Sequence, residues 1–375
     1  MAKVVVIGGG YAGLACLIEL SKKAPQLELH LVDGAAEHCK ITNLHKTFNK
    51  PIEEFRVPYA QLAQRFNFSF HQHKVTFTAT ELQRWQQLKV LPLGDTELAF
   101  DWLVIATGAT PLMQPDANGV IGLQTLQAGE GSALFEGWLE KAESQRLNIS
   151  LVGAGATGLQ VLFELHEQLH KKRLAYRLRL VDQGARTAPQ LPDGAHRYIV
   201  RKLQREGIDY LPKTEFCSQT ENQIELRENG SKQVFHLPSD VTLLFPGVKR
   251  SPFTLKTNSY GQVECDEQLL PEIFSAGDSA NYAGNGLNLL TAQAAVRKGK
   301  LVAYNIRNMH AGRGLRRYRY QEKGYLLSLG SIDAVGWLGL RCNLIKGFPA
   351  NVLKEAMESQ YNLFLEGVDT YVGSP

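Results

Sequence analysis

The sequence predicts an α/β chain built from two Rossmann-like dinucleotide-binding domains, with a small C-terminal region. Two observations carry this. Gly8-Gly9-Gly10-Tyr11-Ala12-Gly13 follows the apolar run Val4-Val5-Val6-Ile7, and Gly153-Ala154-Gly155-Ala156-Thr157-Gly158 follows Ile149-Ser150-Leu151-Val152. In each unit the next apolar run ends in an acid, Asp33 in the first and Asp182 in the second. One G-x-G-x-x-G turn is a weak signal. Two, each placed between strand and helix and each followed by its acid, say that the chain holds two dinucleotides. A protein that holds two dinucleotides most often passes electrons between them.

The glycines have separate physical tasks. The first permits a tight strand-to-helix turn, the second lets backbone N–H groups approach a pyrophosphate, and the third lets the helix pack on the strand. The pyrophosphate then meets a helix N-terminus, where unpaired N–H groups and the dipole favour negative charge. The acid binds a ribose hydroxyl.

Composition narrows the class. The chain has 375 residues, 44% hydrophobic and 21% charged, an ordinary globular mixture long enough for two large domains and a smaller piece. The N-terminal apolar run is read as a nucleotide turn rather than a signal peptide. No uninterrupted run of 18 apolar residues predicts a spanning helix. Cys16, Cys39, Cys217, Cys265 and Cys342 show no short paired spacing, which argues against a disulfide framework, a redox dithiol and a zinc site. No metal is expected. Residues 297–354 carry twelve Lys or Arg against two acids, net +10, so the rest of the chain carries −6 of the overall +4. That segment reads either as a solvated face or as a basic surface for an anionic membrane or acidic partner. No nucleic-acid motif accompanies the charge.

Along the chain, residues 1–34 read as strand, helix, strand. Residues 35–60 form a loop-rich stretch holding His38, Cys39, Asn43, His45 and Lys46, and residues 66–90 alternate as short strands. Residues 101–109 form a buried strand ending in a glycine turn. Pro111 and Pro115 mark the crossing into the second domain. A helix over 133–147 leads to the second glycine turn, a helix covers 194–206, and Pro252 begins the return. A strand at 273–278 precedes a helix from about Leu290. The expected boundaries are 1–113 with 252–316 for the first domain, 114–251 for the second, and 317–375 for the C-terminal region.

In order, GGGYAG, Asp33, the ATG at 106–108, GAGATG, Asp182 and the AGD at 276–278 resemble the flavoprotein superfamily of pyridine nucleotide-disulfide reductase type, with a glutathione-reductase-like fold. Four further stretches resemble type II NADH:quinone oxidoreductases and their apoptosis-inducing-factor-like relatives. These are residues 38–49, Phe245-Pro246-Gly247-Val248-Lys249, Thr291-Ala292-Gln293-Ala294-Ala295, and Tyr318-Arg319-Tyr320-Gln321-Glu322-Lys323-Gly324 with the following Gly330 and Ala334-Val335. The resemblance implies FAD in the first domain, on Gly8, Gly10, Tyr11, Ala12, Gly13, Asp33, Val75, Thr107, Gly108, Gly277, Asp278, Ala292 and Gln293. It implies NADH in the second, on Gly153, Gly155, Thr157, Gly158, Asp182 and Gly247. Asp182 is followed by Gln183 and Gly184 with no adjacent cation for a 2′-phosphate, so NADH is favoured over NADPH.

Three departures from the family bear on the reaction. Gln160 stands where the family has a glutamate after the second turn, and an amide can hydrogen-bond but not relay a proton. Arg297 stands where the family has a second glutamine. The chain also stops soon after Leu365, where the family carries a longer amphipathic anchor. Gln293 is expected to contact the flavin or orient an acceptor carbonyl, and Arg297, at i+4 on the same face, to stabilise a reduced flavin or anionic acceptor. Gln160, Gln293 and Arg297 are thus the candidate catalytic residues. Cys39 faintly resembles the flavin-tethering cysteine of flavocytochrome-type sulfide dehydrogenases, though a buried small hydrophobe is the favoured reading. Sulfide:quinone chemistry is disfavoured because paired redox cysteines are missing from the positions that family uses.

The resulting expectation is an FAD-dependent NADH dehydrogenase that passes electrons to a quinone-like acceptor. The alternative is a weakly turning-over flavoprotein acting as a redox sensor or assembly partner. A cytoplasmic location is expected, with peripheral contact at the inner face of the cytoplasmic membrane, and the basic segment could instead serve a homodimer.

Overall fold

In a computed structural model of the chain, residues 1–109, 119–247 and 254–371 are described. Pro111, Pro115, Val248, Lys249 and Pro252, and with them the expected boundaries at 113/114 and 251/252, lie outside these residues. An eight-stranded sheet and a five-stranded sheet, each with a glycine-turn strand in its interior, form the two nucleotide units.

In the first sheet Lys3–Ile7 lies parallel between Glu28–Asp33 and Trp102–Ile105. Ser69–Gln72 closes one edge, and the segment from Leu255–Thr257 to Ala280–Tyr282 completes the other. In the second, Leu147–Val152 lies parallel between Tyr176–Val181 and Val241–Leu244. Parallel strands covered on both faces need continuous apolar runs. Val4, Val5, Val6 and Leu151 accordingly lie fully or almost fully buried, each contributing about 1.5–3 kcal/mol.

Helix Tyr11–Lys23 packs against helix Ala292–His310 at very short range. A β-carbon on Gly299 would collide with the Ala12 carbonyl, so glycine is required at that crossing. Thr291 caps the second helix by accepting from the Ala294 N–H at 3.2 Å, which places the helix start just after the expected Leu290. The helices Gly131–Ser144 and Asp193–Arg205 fall close to their expected positions.

Residues 66–90 depart from the expected run of strands. Ser69–Gln72 is a strand, but Ala79–Leu88 is a helix. Thr78 and Glu81 form a reciprocal capping box, and Leu82 and Trp85 share the buried face. The T-x-x-E signature outweighs the apparent alternation.

The C-terminal region holds an antiparallel sheet of Gly324–Ser328, Ala334–Leu338 and Leu344–Gly347. It then forms helix Phe348–Leu365, which sequence reading did not anticipate. Pro349 sits in its first turn, and Ala350, Lys354, Glu358, Tyr361 and Leu365 recur at helical spacing on the inward face. This helix lies across the first domain: Lys46 bonds Glu358 at 2.8 Å and Glu355 at 3.3 Å, and Arg65 bonds Glu366 at 2.9 Å. No helix among the described residues is long and apolar enough to cross a membrane.

Candidate functional site

The two glycine turns are built alike. Gly8 and Gly153 have φ of +101° and +108°, a region that β-carbons strongly disfavour. A β-carbon on Gly8 would strike the Ala106 carbonyl, and one on Gly153 the Phe245 carbonyl. Gly13 and Gly158 each sit against the carbonyl of their own turn's first glycine. Gly10 and Gly155 meet nothing within 4 Å and face open space. The middle glycines therefore border the room a pyrophosphate needs, while the outer two hold the turn closed.

The acids are also built alike. Asp33 accepts from the Gly9 N–H at 2.6 Å and from the Ala35 N–H at 2.8 Å. Asp182 accepts from the Ala154 N–H at 2.5 Å and from the Gly184 N–H at 2.6 Å. Each carboxylate is thus fixed beside its turn. Arg186, the first cation after Asp182, is turned away into a 2.7 Å ion pair with Asp193 and a bond to the Leu191 carbonyl.

A cleft of about 710 Å³ joins the two turns and reaches the C-terminal helix. Among the expected residues, Gly10, Tyr11, Ala12, Thr107, Gly108, Gly277, Asp278, Ala292 and Gln293 line it from the first unit, and Gly155, Thr157, Gly158, Gln160 and Gly247 from the second. Gly8, Gly13, Gly153, Asp33 and Asp182 stand behind as turn supports. Val75 instead packs against the apolar cluster of Val5, Ile7 and Val32, away from the cleft. Arg297 does not line the cleft; its guanidinium lies 5.8 Å from the Tyr371 ring centre. Cys39 packs against an apolar cluster while Lys40, Ile41, Thr42 and Asn43 line the cleft. Burial pushes its thiol up, so it remains protonated and unreactive at neutral pH.

Several cleft residues escaped sequence reading. His45 joins from the loop-rich stretch, Tyr325 from the small sheet, and Lys354, Glu358, Tyr361 and Tyr371 from the C-terminal helix and the tail beyond it. Only the 3.6-residue spacing along 350–365 could have signalled the helix's inward face.

The electrostatics of this wall are tight. Glu358 bonds Lys46 and Lys354, with its side chain 11% exposed. Burial alone would lift its carboxyl, but the two ammoniums hold it below the usual range. Burial lowers His45 to about 3 and His38 to about 4. His38 Nδ1 lies 3.0 Å from the Gly9 carbonyl oxygen. A carbonyl only accepts, so Nδ1 carries the proton, and Nε2 accepts from the Tyr361 hydroxyl at 3.0 Å. The C-terminal helix is thereby bonded to the backbone of the first glycine turn. Glu322, across the cleft, is raised by burial against the partial pull of Arg341.

Residues 2–299 match the pyridine nucleotide-disulphide oxidoreductase family. The demethylphylloquinone reductase of Synechocystis is 27% identical over 354 residues, covering 89% of this chain and 86% of the relative. A type II NADH:quinone oxidoreductase of Staphylococcus epidermidis is 26% identical over 400 residues, covering 98% and 96%. Among solved structures, NDH2 of Plasmodium falciparum in complex with NADH superposes with a TM-score of 0.79 at 13% identity, covering 96% of this chain and 94% of that one. The sulfide:quinone oxidoreductase of Aquifex aeolicus gives 0.75 at 16%, covering 98% and 92%. At these identities the structural likenesses speak for the fold alone, which is the two-dinucleotide-domain architecture expected from the sequence. With its two glycine turns opening on one cleft and four-fifths of its length matched, the chain belongs to the pyridine nucleotide-disulphide oxidoreductase family.

Proposed function

We propose that this protein is an FAD-dependent NADH dehydrogenase that delivers electrons to a quinone. The observation that carries the reading is the shared cleft: Gly10 and Gly155, the open middle glycines of the two turns, border the same cavity as Gln293. The relatives named for NADH:quinone and demethylphylloquinone reduction support the choice of acceptor class. Bound FAD and NADH would supply the hydride and electron transfer.

The chain's own residues bind, orient and shield. The first turn and Asp33 would hold FAD, with Gly277 and Asp278 beside it, and the second turn and Asp182 would hold NADH. Asp182 disfavours a 2′-phosphate, and Arg186 is engaged elsewhere. Gln293, at the capped start of its helix, offers an amide to the cleft. Gln160 offers another, so a proton must come from a different wall, where Glu322, Lys354 and Glu358 line the same space. The domain limits at 113/114, 251/252 and 316/317 belong to this reading.

Membrane association is part of the proposal. Leu340 is 70% exposed and Phe348 65%, with Leu338, Val352 and Leu353 also exposed on the small sheet and the outward side of the C-terminal helix. The basic segment is less of a surface than its sequence implies. Lys298 and Lys300 are buried, and Lys354 is paired with Glu358. The remaining cations with the exposed apolar side chains suit a reversible contact with an anionic leaflet.

The reading is tested by adding NADH to the yellow holoprotein without oxygen and then adding menadione. Loss and return of the flavin colour are expected. Negligible bleaching favours instead the sensor or assembly-partner reading to which Gln160 lends weight.

A further inference from the structure

Beyond the C-terminal helix the chain folds back along it. Lys300, with its side chain 6% exposed, pairs with Asp369 at 2.6 Å. Asp369 in turn accepts from the Tyr371 N–H at 3.1 Å, and Gln360 donates to the Thr370 carbonyl at 2.9 Å. These bonds seat Tyr371 in the wall of the cleft, alongside Gln293, Gln360 and Tyr361. Its ring meets Phe364 edge-on, at 5.6 Å between centroids and 89°. Arg297 and Lys300, neighbours on one helix face, lie 5.8 and 5.3 Å from the same ring. A ring held by an ion pair, two cations and an aromatic edge is a built feature of the wall.

This placement also accounts for Arg297. The cation that departs from the family's second glutamine does not line the cleft; it lies against the tyrosine that does. Burial pushes the Tyr371 phenol well above its ordinary range, so its O–H stays a hydrogen-bond donor at neutral pH.

We propose that Tyr371 is an acceptor-specificity residue, forming an aromatic wall of the quinone site that favours flat, fused-ring quinones, and that Lys300 and Asp369 are positioning residues for it. The inference rests on the quinone-reductase reading above. Stacking against an aromatic wall is worth roughly three- to tenfold in affinity. Ferricyanide takes single electrons without a fitted ring site, so it should be indifferent to this wall.

The test uses the holoprotein with NADH and three acceptors: menadione, ubiquinone-1 and ferricyanide. Y371A should raise the KM for menadione roughly three- to tenfold, raise that for ubiquinone-1 less, and change the ferricyanide rate least of the three. Y371F keeps the ring and should stay close to wild type. Y371L fills the space beside Phe364 without an aromatic face, and should reproduce the menadione effect even where Y371A loses flavin. D369N should shift the menadione KM in the same direction, with D369E restoring it. An unchanged menadione KM in both Y371A and Y371L overturns the proposal. So does an equal loss with ferricyanide, which marks the tail as a general support. Wild-type protein that bleaches with NADH yet reduces no quinone overturns the quinone reading itself, and this site with it.

Discussion

Gly9 is glycine for a reason the dinucleotide pattern does not state. The Tyr59 ring lies where its β-carbon would be, and Tyr59 is 3% exposed with its hydroxyl 3.4 Å from Asp33. The equivalent position in the second turn is Ala154, which carries its β-carbon and is fully buried. Gly9→Ala should therefore cost about 1–3 kcal/mol through overpacking, lower the thermal midpoint, and loosen flavin on dialysis. Ala154→Gly should leave flavin content unaltered. Equal flavin retention in wild type and Gly9→Ala would contradict this account of the turn. The glycines and acids of both turns were legible in the sequence because they recur as one fixed pattern whose constraints lie within the turn: a positive φ at the first glycine, its carbonyl against the third glycine, an N–H two residues after the acid. Tyr59 was not legible, because its contact joins segments about 50 residues apart.

Asp182 carries a second prediction at this scale. Its two oxygens are fixed by the Ala154 and Gly184 N–H groups, so it meets a 2′-phosphate as a rigid anion. Removing a charged partner costs roughly 1.5–3 kcal/mol, and Asp182→Ala should narrow the preference for NADH over NADPH by about tenfold or more. Equal efficiency of the two cofactors in the wild type would contradict it.

At the level of elements, the C-terminal helix does most of what sequence reading missed. Its inward residues spread over sixteen positions, and their partners, Lys46, His38 and Tyr11, lie more than 300 residues earlier. Periodicity marks a face, but nothing local names what it faces. The helix Ala79–Leu88 is the complementary case: its Thr78–Glu81 capping box is local, readable in the sequence, and stronger than a loose alternation.

The ion cluster on the C-terminal helix should be costly to break. Glu358→Gln leaves two ammoniums beside a neutral amide, with Glu355 still near Lys46, and should destabilise by about 3 kcal/mol. Denaturant midpoints at low and high salt would measure it. A change below a few tenths would show the cluster to be solvated. The buried histidines set a pH window. The folded His38 titrates near 4 against an ordinary 6.5, so below about pH 6.5 the unfolded chain binds a proton that the folded chain refuses. Stability from this group is complete above 6.5 and lost progressively down to about 4, on the order of 3 kcal/mol. His45 adds a loss of the same sign. Replacing His38 with Asn should flatten the fall measured between pH 7 and 5, and a fall of unchanged steepness would assign it to other groups.

For the whole molecule, the two sheets follow from their glycine-turn strands, and their joining around one cleft gives the pairing of cofactors its use. Fold class was legible because the two units repeat one readable pattern. The far wall of the cleft was not, because it is assembled from the small sheet, the C-terminal helix and the tail. Membrane contact also belongs to this scale. Wild-type protein should sediment with anionic vesicles at low salt and detach as salt rises and screening shortens the field. Lys346→Glu should weaken that binding, whereas Arg341 is tied to the Gln190 carbonyl and makes a less clean probe. Equal recovery with neutral and anionic vesicles would remove charge from the explanation.

On the function proposed above, two dinucleotides meet in one cleft and exchange electrons there. Anaerobic stopped-flow mixing of the flavin-loaded protein with NADH tests it most directly. Rapid loss of the flavin's visible absorbance is expected, with slower loss on NADPH and full return of colour when menadione is added. Absorbance that persists on mixing with NADH, in protein shown to carry its flavin, would contradict it.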